Sequence, residues 1–288
     1  MINWATASEL DRVDQHRLSV EWVAGLWRSE DAKLLKLDAQ SRFTTNVGGS
    51  KLRMTRPFVE FDSQRHRLLG LLNGAPIFAV EALTEGEVHD FREVAGMLTD
   101  NERDIAATAS ALHQWHKAEP RCPRCGEVTD VIRGGFARHC AGCGHDHFPR
   151  TDPAVIVAVL DESDRILLGR QSTWPANRVS ILAGFVETGE SLEQAIHREV
   201  AEEVDVTLSA VTYFGSQPWP FPRSLMLGFS ARASSIDISV DGEEIEVAAW
   251  YTRDEVRSLV ATEELGLPGA SSIAHRMINA WLEGDLPA

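Results

Sequence analysis

The sequence predicts an α/β (α+β) protein in three parts: residues 1–117, 118–150 and 151–288. Three observations carry this reading. After Thr151, apolar strand-like runs alternate with an amphipathic stretch that reads as a crossing helix, the pattern of a layered α/β domain. Before that lie two CxxC pairs, Cys122 with Cys125 and Cys140 with Cys143, separated by fourteen residues. Ahead of the cysteines, a hairpin pattern and a long helix pattern suggest a mixed α/β unit.

The elements follow in chain order. Residues 68–80 read as two strands about an Asn73-Gly74 turn. The sequence NVGGSK at 46–51 lacks the full phosphate-loop spacing and reads as a plain turn. Thr99 and Glu102 form a helix-start signature for a helix running towards Trp115. The spacing of the cysteines is that of a zinc ribbon, in which two tight turns each present two thiolates to a tetrahedral Zn²⁺. Gly126 and Gly144 follow the pairs, as such turns require. Four thiolates complete a structural site, so His139, His145 and His147 read as ordinary surface or core histidines. Residues 154–160 and 165–169 read as strands about a turn at 162–164, residues 224–232 and 246–252 as further strands, and 271–282 as a last helix. No GxGxxG stands between a strand and a helix, so a dinucleotide fold of the dehydrogenase type has no support.

Composition narrows the function. The chain has 288 residues, 43% hydrophobic and 25% charged, in the range of a soluble globular protein. Its net charge of -15 argues against a broad phosphate-tracking nucleic-acid surface. An acidic protein that takes an anionic substrate needs local positive charge, which bound cations supply. No run is long enough to span a bilayer and no secretory leader is evident, so a cytoplasmic protein is expected.

The most informative stretch is residues 184–206. Ser191 and Gln194 form a capping box, placing a helix start near Leu192. The apolar stripe Leu192, Ala195, Ile196 would continue at positions 199 and 203, and both are Glu. With Glu202, three carboxylates crowd one helix face, where like charges repel. Buried carboxylates need pairing or a metal, and a hard divalent cation fits oxygen ligands.

Gly184, Glu190, Arg198-Glu199-Val200, Glu202-Glu203 and Val206 are spaced as in the Nudix box, and the segment resembles it throughout, except that Asp205 stands where that motif has glycine. Asp tolerates the left-handed conformation that such a position requires. Residues 216–224, SQPWPFPRS, can hold an aromatic wall against a flat base, or form a proline-rich turn whose aromatics plug a core or a subunit contact. At this distance after a Nudix box, and after a zinc ribbon, the segment resembles the signature of the NADH pyrophosphatase family. The junction 147–150 and the segment 272–275 fit the same family.

The resemblance implies a Nudix α/β/α sandwich preceded by the ribbon. It implies hydrolysis of the pyrophosphate of NAD(H) to nicotinamide mononucleotide and AMP, removal of NAD caps from the 5′ end of RNA, and a homodimer. It further implies Mg²⁺ or Mn²⁺ held by Glu199, Glu202, Glu203, Glu244 and the Ala183 carbonyl. Gln217, Pro218, Trp219, Pro220, Phe221, Pro222, Arg223, Ser224, Phe148, Phe185 and Ala274 would contact substrate. Glu203, with Glu199 and Glu202, is expected to be catalytic, orienting or deprotonating a water. Arg198 would hold the glutamates and Glu190 would anchor the loop by hydrogen bonds. The acidic run 241–246 leaves Glu243 and Glu246 as other ligand choices. The family's Glu before the second CxxC has no counterpart, Gly134-Gly135 lying there. Competing readings are a Nudix hydrolase of ADP-ribose or another dinucleotide, and a zinc-ribbon nucleic-acid module with an inactive Nudix domain.

Overall fold

The computed structural model describes residues 4–287, so the outermost ends of the first and last expected parts lie outside the described residues. The first seven strands form one sheet: β1 (Leu10–Asp11), β2 (Lys33–Leu37), β3 (Phe43–Thr44), β4 (Met54–Thr55), β5 (Arg67–Leu72), β6 (Ala75–Glu81) and β7 (Val88–His89). Their order is β1-β5-β6-β2-β3-β7, with β4 also on β2, and only β2 and β6 run parallel. Alternating side chains build a core on each face. Leu35, Leu37, Leu69 and Ile77 pack with α2 (Phe91–Val94) and α3 (Asp100–Ala118). Leu34, Leu68, Phe78 and Val80 pack with α1 (Val20–Trp27). The hairpin at 68–80, the turn at 46–51 and the helix from Thr99 appear as expected. The elements before residue 60 were not legible, because β2 reads KLLKL and fits neither period.

The ribbon is a three-stranded antiparallel sheet of β8 (Asp130–Ile132), β9 (Ala137–His139) and β10 (Asp146–His147). Its two CxxC turns are alike. Gly126 N–H donates to the Cys122 carbonyl at 2.9 Å and Gly144 N–H to the Cys140 carbonyl at 2.8 Å. Both glycines have positive φ, 81° and 70°. The four sulfur atoms lie within 4.8 Å of one another, with Cys122–Cys143 at 3.6 Å and Cys125–Cys140 at 3.4 Å. Thiolates bound tetrahedrally at about 2.3 Å from zinc stand about 3.8 Å apart, so this quartet fits structural Zn²⁺. The nearby histidines are engaged elsewhere: His139 Nδ1 meets Asp146 at 2.5 Å and His147 is buried beside the Glu119 carbonyl.

The last six strands make the second large sheet: β11 (Asp152–Leu160), β12 (Ile166–Arg170), β13 (Leu182–Phe185), β14 (Leu208–Trp219), β15 (Ser224–Ala233) and β16 (Val247–Tyr251). β11 runs parallel to β15 along its whole length and is buried on both faces, which is why it reads as an unbroken apolar run. Val155, Val157 and Val159 meet α4 (Leu192–Val204), while Ile156, Ala158 and Leu160 meet α6 (Ile273–Glu283) and Val256 of α5 (Arg253–Ala261). An α/β/α sandwich results. One edge of β11 is shared: its early half pairs with β13, and Leu160 pairs with Ile166 of β12.

Of the two readings of 216–224, the aromatic wall on extended chain holds only as far as Trp219, and Pro220, Phe221, Pro222 and Arg223 form the proline-rich turn between β14 and β15. Phe221 N–H donates back to the Trp219 carbonyl at 2.7 Å. Pro220 and Pro222 have no N–H to offer a continuing ladder, so the chain turns there. That turn docks on the first sheet's helices: Gln114 donates to the Pro220 carbonyl at 2.7 Å, and Phe221 stacks on Phe91 with centroids 6.2 Å apart.

Replacing Cys122 with Ser removes one of the two buried ligands from the zinc quartet. Metal analysis is expected to show zinc falling well below one per chain, and thermal unfolding to begin about 5 °C lower or more. Full zinc occupancy in the variant would contradict the assignment.

Candidate active site

α4 begins with a complete capping box: Ser191 Oγ accepts from Gln194 N–H, and Gln194 accepts from Ser191 N–H at 2.8 Å. The helix then buries Ala195, Ile196, Val200 and Val204 against the sheet. Glu199 and Glu203 continue that face and are only 8% and 3% exposed. Arg198 gathers the acids around them. Its guanidinium meets Glu190 at 2.6 Å, Glu199 at 2.9 Å and Glu202 at 3.0 Å, and donates to the Phe185 carbonyl at 2.9 Å. These partners hold the Arg198 pKa far above its ordinary value, with Glu190 the largest cause. Arg198 also draws the Glu190 carboxyl below its usual range, while Glu190 accepts from Glu187 N–H at 2.7 Å and so closes the loop before the helix. At the far end Asp205 takes the left-handed cap at φ 57°, the conformation glycine would supply.

Gly184 of β13 faces Glu199 at close range. A Cβ there would lie 1.9 Å from the Glu199 carboxyl carbon and 2.1 Å from both its oxygens. Only glycine leaves room for that carboxylate. Glu203 is the most desolvated acid of the group. Burial first, and then the charges of Glu199, Glu244, Asp241 and Glu202, push its carboxyl up to about 8. Its Oε2 is buried without a hydrogen-bond partner among the described residues. Burial likewise raises Glu199, against the pull of Arg198. A buried carboxylate of this kind is costly unless a cation completes it.

The 241–246 loop separates the remaining acids. Asp241 N–H donates to the Glu203 carbonyl at 3.2 Å, and Glu244 N–H to Asp241 Oδ2 at 3.1 Å. Glu246 is taken by an ion pair with Arg170. Glu244 exerts its charge on both Glu199 and Glu203. Asp241, which sequence reasoning passed over, does so on Glu203, and its presence in the same acidic run was the available signal.

A cavity of about 210 Å³ opens beside Glu203, between β11, β12, β13 and α6. Ala183, Gln217, Trp219 and Ala274 line it. It holds a ring, not a whole dinucleotide. Gln217 is fully buried, donates to the Ser271 carbonyl at 2.7 Å and leaves its Oε1 without a partner. The other expected contacts lie elsewhere. Pro218, Pro220, Arg223 and Ser224 line a larger cavity of about 450 Å³ beside α3, which Trp219 also reaches. That cavity has none of the α4 carboxylates, so the chemistry belongs to the smaller one. Arg223 is paired with Glu119 at 2.7 Å and Asp152 at 2.9 Å. Phe221 lies under Arg92, 4.6 Å from its ring centre, with Pro222 following in the turn. Phe148 and Phe185 are 47% and 58% exposed and line neither cavity. Trp174 and Arg178, stacked at 5.1 Å, line the Glu203 cavity and carried no signal in the sequence.

An α/β/α sandwich whose helix turns buried glutamates towards a glycine strand is the architecture of a Nudix hydrolase. The NUDIX domain profile matches residues 150–270, and that of the NADH pyrophosphatase zinc ribbon domain matches 119–148. The NAD-capped RNA hydrolase NudC of Mycobacterium bovis is 38% identical over 289 residues, 94% of this chain and 92% of its own. NudC of Mycobacterium tuberculosis is 37% identical with the same coverage. NAD-capped RNA hydrolase NUDT12 of Homo sapiens is 38% identical over 197 residues, 64% of this chain and 43% of its own. The chain belongs to the NudC family of Nudix hydrolases.

Two outcomes follow from the packing. Gly184→Ala drives a methyl into the Glu199 carboxylate, and hydrolysis is expected to fall at least about tenfold with zinc content unchanged. The Glu203 carboxyl titrates near 8 when folded, against an ordinary value of 4.5, so the folded magnesium-free protein keeps a proton that the unfolded chain has lost. Its stability therefore falls as pH rises through that window. Urea unfolding at about pH 8.5 should show Glu203→Gln more stable than wild type by on the order of 2 kcal/mol, the gap closing towards pH 5.

Proposed function

We propose that the chain hydrolyses the pyrophosphate bond of NAD(H), giving nicotinamide mononucleotide and AMP, and removes the NAD cap from RNA 5′ ends. The observation that carries this is the buried, unpartnered carboxylate of Glu203 beside a ring-sized cavity. The full-length similarity to NudC supports the substrate.

Glu199, Glu202, Glu203, Glu244 and the Ala183 carbonyl would hold Mg²⁺ or Mn²⁺, since the oxygen donors suit hard cations and the desolvated Glu203 has no cationic partner among the described residues. Such ions, when bound, neutralise the pyrophosphate oxygens and lower the pKa of the attacking water. Glu203 positions that water and accepts its proton. The water oxygen bonds to one phosphorus, the bridging P–O bond breaks, and the bridging oxygen leaves on the other phosphate. Arg198 fixes the acids and does not touch substrate. Gln217 offers a free Oε1, and Trp219 a ring, to a base entering the cavity. Phe148 and Phe185 remain exposed for stacking, and Ala274 lines the wall.

The same reading takes 1–117, 118–150 and 151–288 as the domain limits, a homodimer as the working form and the cytoplasm as its place. Among the described residues no helix is long and apolar enough to cross a membrane. A nucleic-acid module with an inactive Nudix domain is disfavoured, since the box acids are all present and two of them, Glu199 and Glu203, are buried side by side.

The direct test measures AMP release from NADH with and without Mg²⁺, alongside NAD-capped RNA. Glu203→Gln is expected to lower the rate about 10³-fold while circular dichroism is unchanged. Undiminished turnover in the folded variant would remove Glu203 from the reaction.

A further inference from the structure

A third cavity, of about 370 Å³, lies away from the carboxylates of α4. Its walls come from the first sheet, from α3 and from the ribbon, and its size falls in the range of small-ligand pockets. In a chain with net charge -15 its lining is cationic: Arg65, Arg67, Lys117 and Arg138. Glu81 is the one carboxylate among the lining residues, and it is engaged with His113 at 2.8 Å.

The cations are not equivalent. Arg138 is spent on the fold: it donates to Thr129 Oγ1 at 2.7 Å, the Thr129 carbonyl at 2.6 Å and His116 Nδ1 at 3.0 Å. His116 donates through Nε2 to the Gly135 carbonyl at 2.8 Å, so its Nδ1 is an acceptor and the ring is neutral. Burial and the Arg67 charge agree, pushing His116 down to about 3. Lys117 donates to the Ala39 carbonyl at 2.5 Å.

Arg67 differs. Among the described residues its guanidinium makes no hydrogen bond or ion pair, and its Nη1 is buried without a partner. Burial and the neighbouring Arg138 lower its pKa to about 10 against the opposing charge of Asp62, which does not reach ion-pair distance, so it remains charged at neutral pH. Its stem is pinned: a Cβ on Gly135, at φ +105°, would lie 2.4 Å from Arg67 Cδ. Arg65, exposed at the rim, likewise has no side-chain partner. A half-buried, held and unpaired guanidinium presents a planar fork suited to phosphate oxygens. The floor, by contrast, is apolar, with Leu37, Ala79 and Ala109.

We propose that this cavity binds a small phosphate monoester, its phosphate on Arg67 and Arg65 and its organic part over the apolar floor. The surplus of cations over Glu81 matches a group carrying about two negative charges better than a carboxylate with one. The site is independent of the α4 carboxylates.

Isothermal titration calorimetry on the zinc-loaded, magnesium-free full-length protein tests this, with ribose 5-phosphate and inorganic phosphate as probes. One saturable site per chain is expected, tighter for the ester. Arg67→Leu should weaken it at least tenfold. Arg65→Ala, at an exposed residue with no side-chain bond to lose, should weaken it severalfold and guards against misfolding of the first variant. Equal affinity for inorganic phosphate would overturn the ester assignment. Absence of saturable binding at millimolar probe, or unchanged affinity in folded variants, would overturn the site.

Discussion

Placing carboxylates on the core-facing side of α4 is the constraint around which the catalytic half is arranged. Glu199 and Glu203 occupy positions that an ordinary amphipathic helix would give to Leu or Val. Their burial raises their proton affinity and demands compensation from every side. Arg198 supplies part of it on the same helix, Gly184 supplies space on the strand opposite, and Glu190 closes the loop that joins them. The residual deficit is concentrated on Glu203, whose free oxygen is where a cation is most strongly favoured.

The rest of the sandwich holds this arrangement still. α4 is fixed by its valines and isoleucine on one face of β11, and α6 by Ile273, Met277 and Trp281 on the other. The parallel pairing of β11 with β15 carries β14 alongside, and so delivers Gln217 and Trp219 to the same cavity as Glu203. Beyond Trp219 the turn leaves the sandwich and docks against Gln114 and Phe91, joining the two large sheets through one tight segment. α3 therefore serves two cavities, one beside that turn and one lined by Arg67.

Several elements were legible because their signals are local. The CxxC spacing, the helix start at Ser191, the apolar run of β11 and the Asn73-Gly74 turn each depend on residues close in sequence. The burial of Glu199 and Glu203 was legible too, because helical period alone ties position 199 to 195 and 196. The strip at 216–224 was only half legible. Alternation in sequence implied one extended face, but the prolines end the ladder, and Phe221 is captured by Phe91 of a distant helix. Trp174 and Arg178 gave no usable signal, since their roles come from where loops return in space.

The sequence by itself determined the chemistry: which cysteines form the zinc quartet and which helix carries the acids on its core-facing side. Periodicity and motif spacing encode those relations within a few turns of chain. Only the tertiary structure decided which acid is left unpartnered, that Glu246 is held by Arg170, and that Arg67 is pinned without a hydrogen bond or ion pair among the described residues. Desolvation and charge pairing depend on neighbours far apart in sequence, and those distances exist only once the sheets have packed.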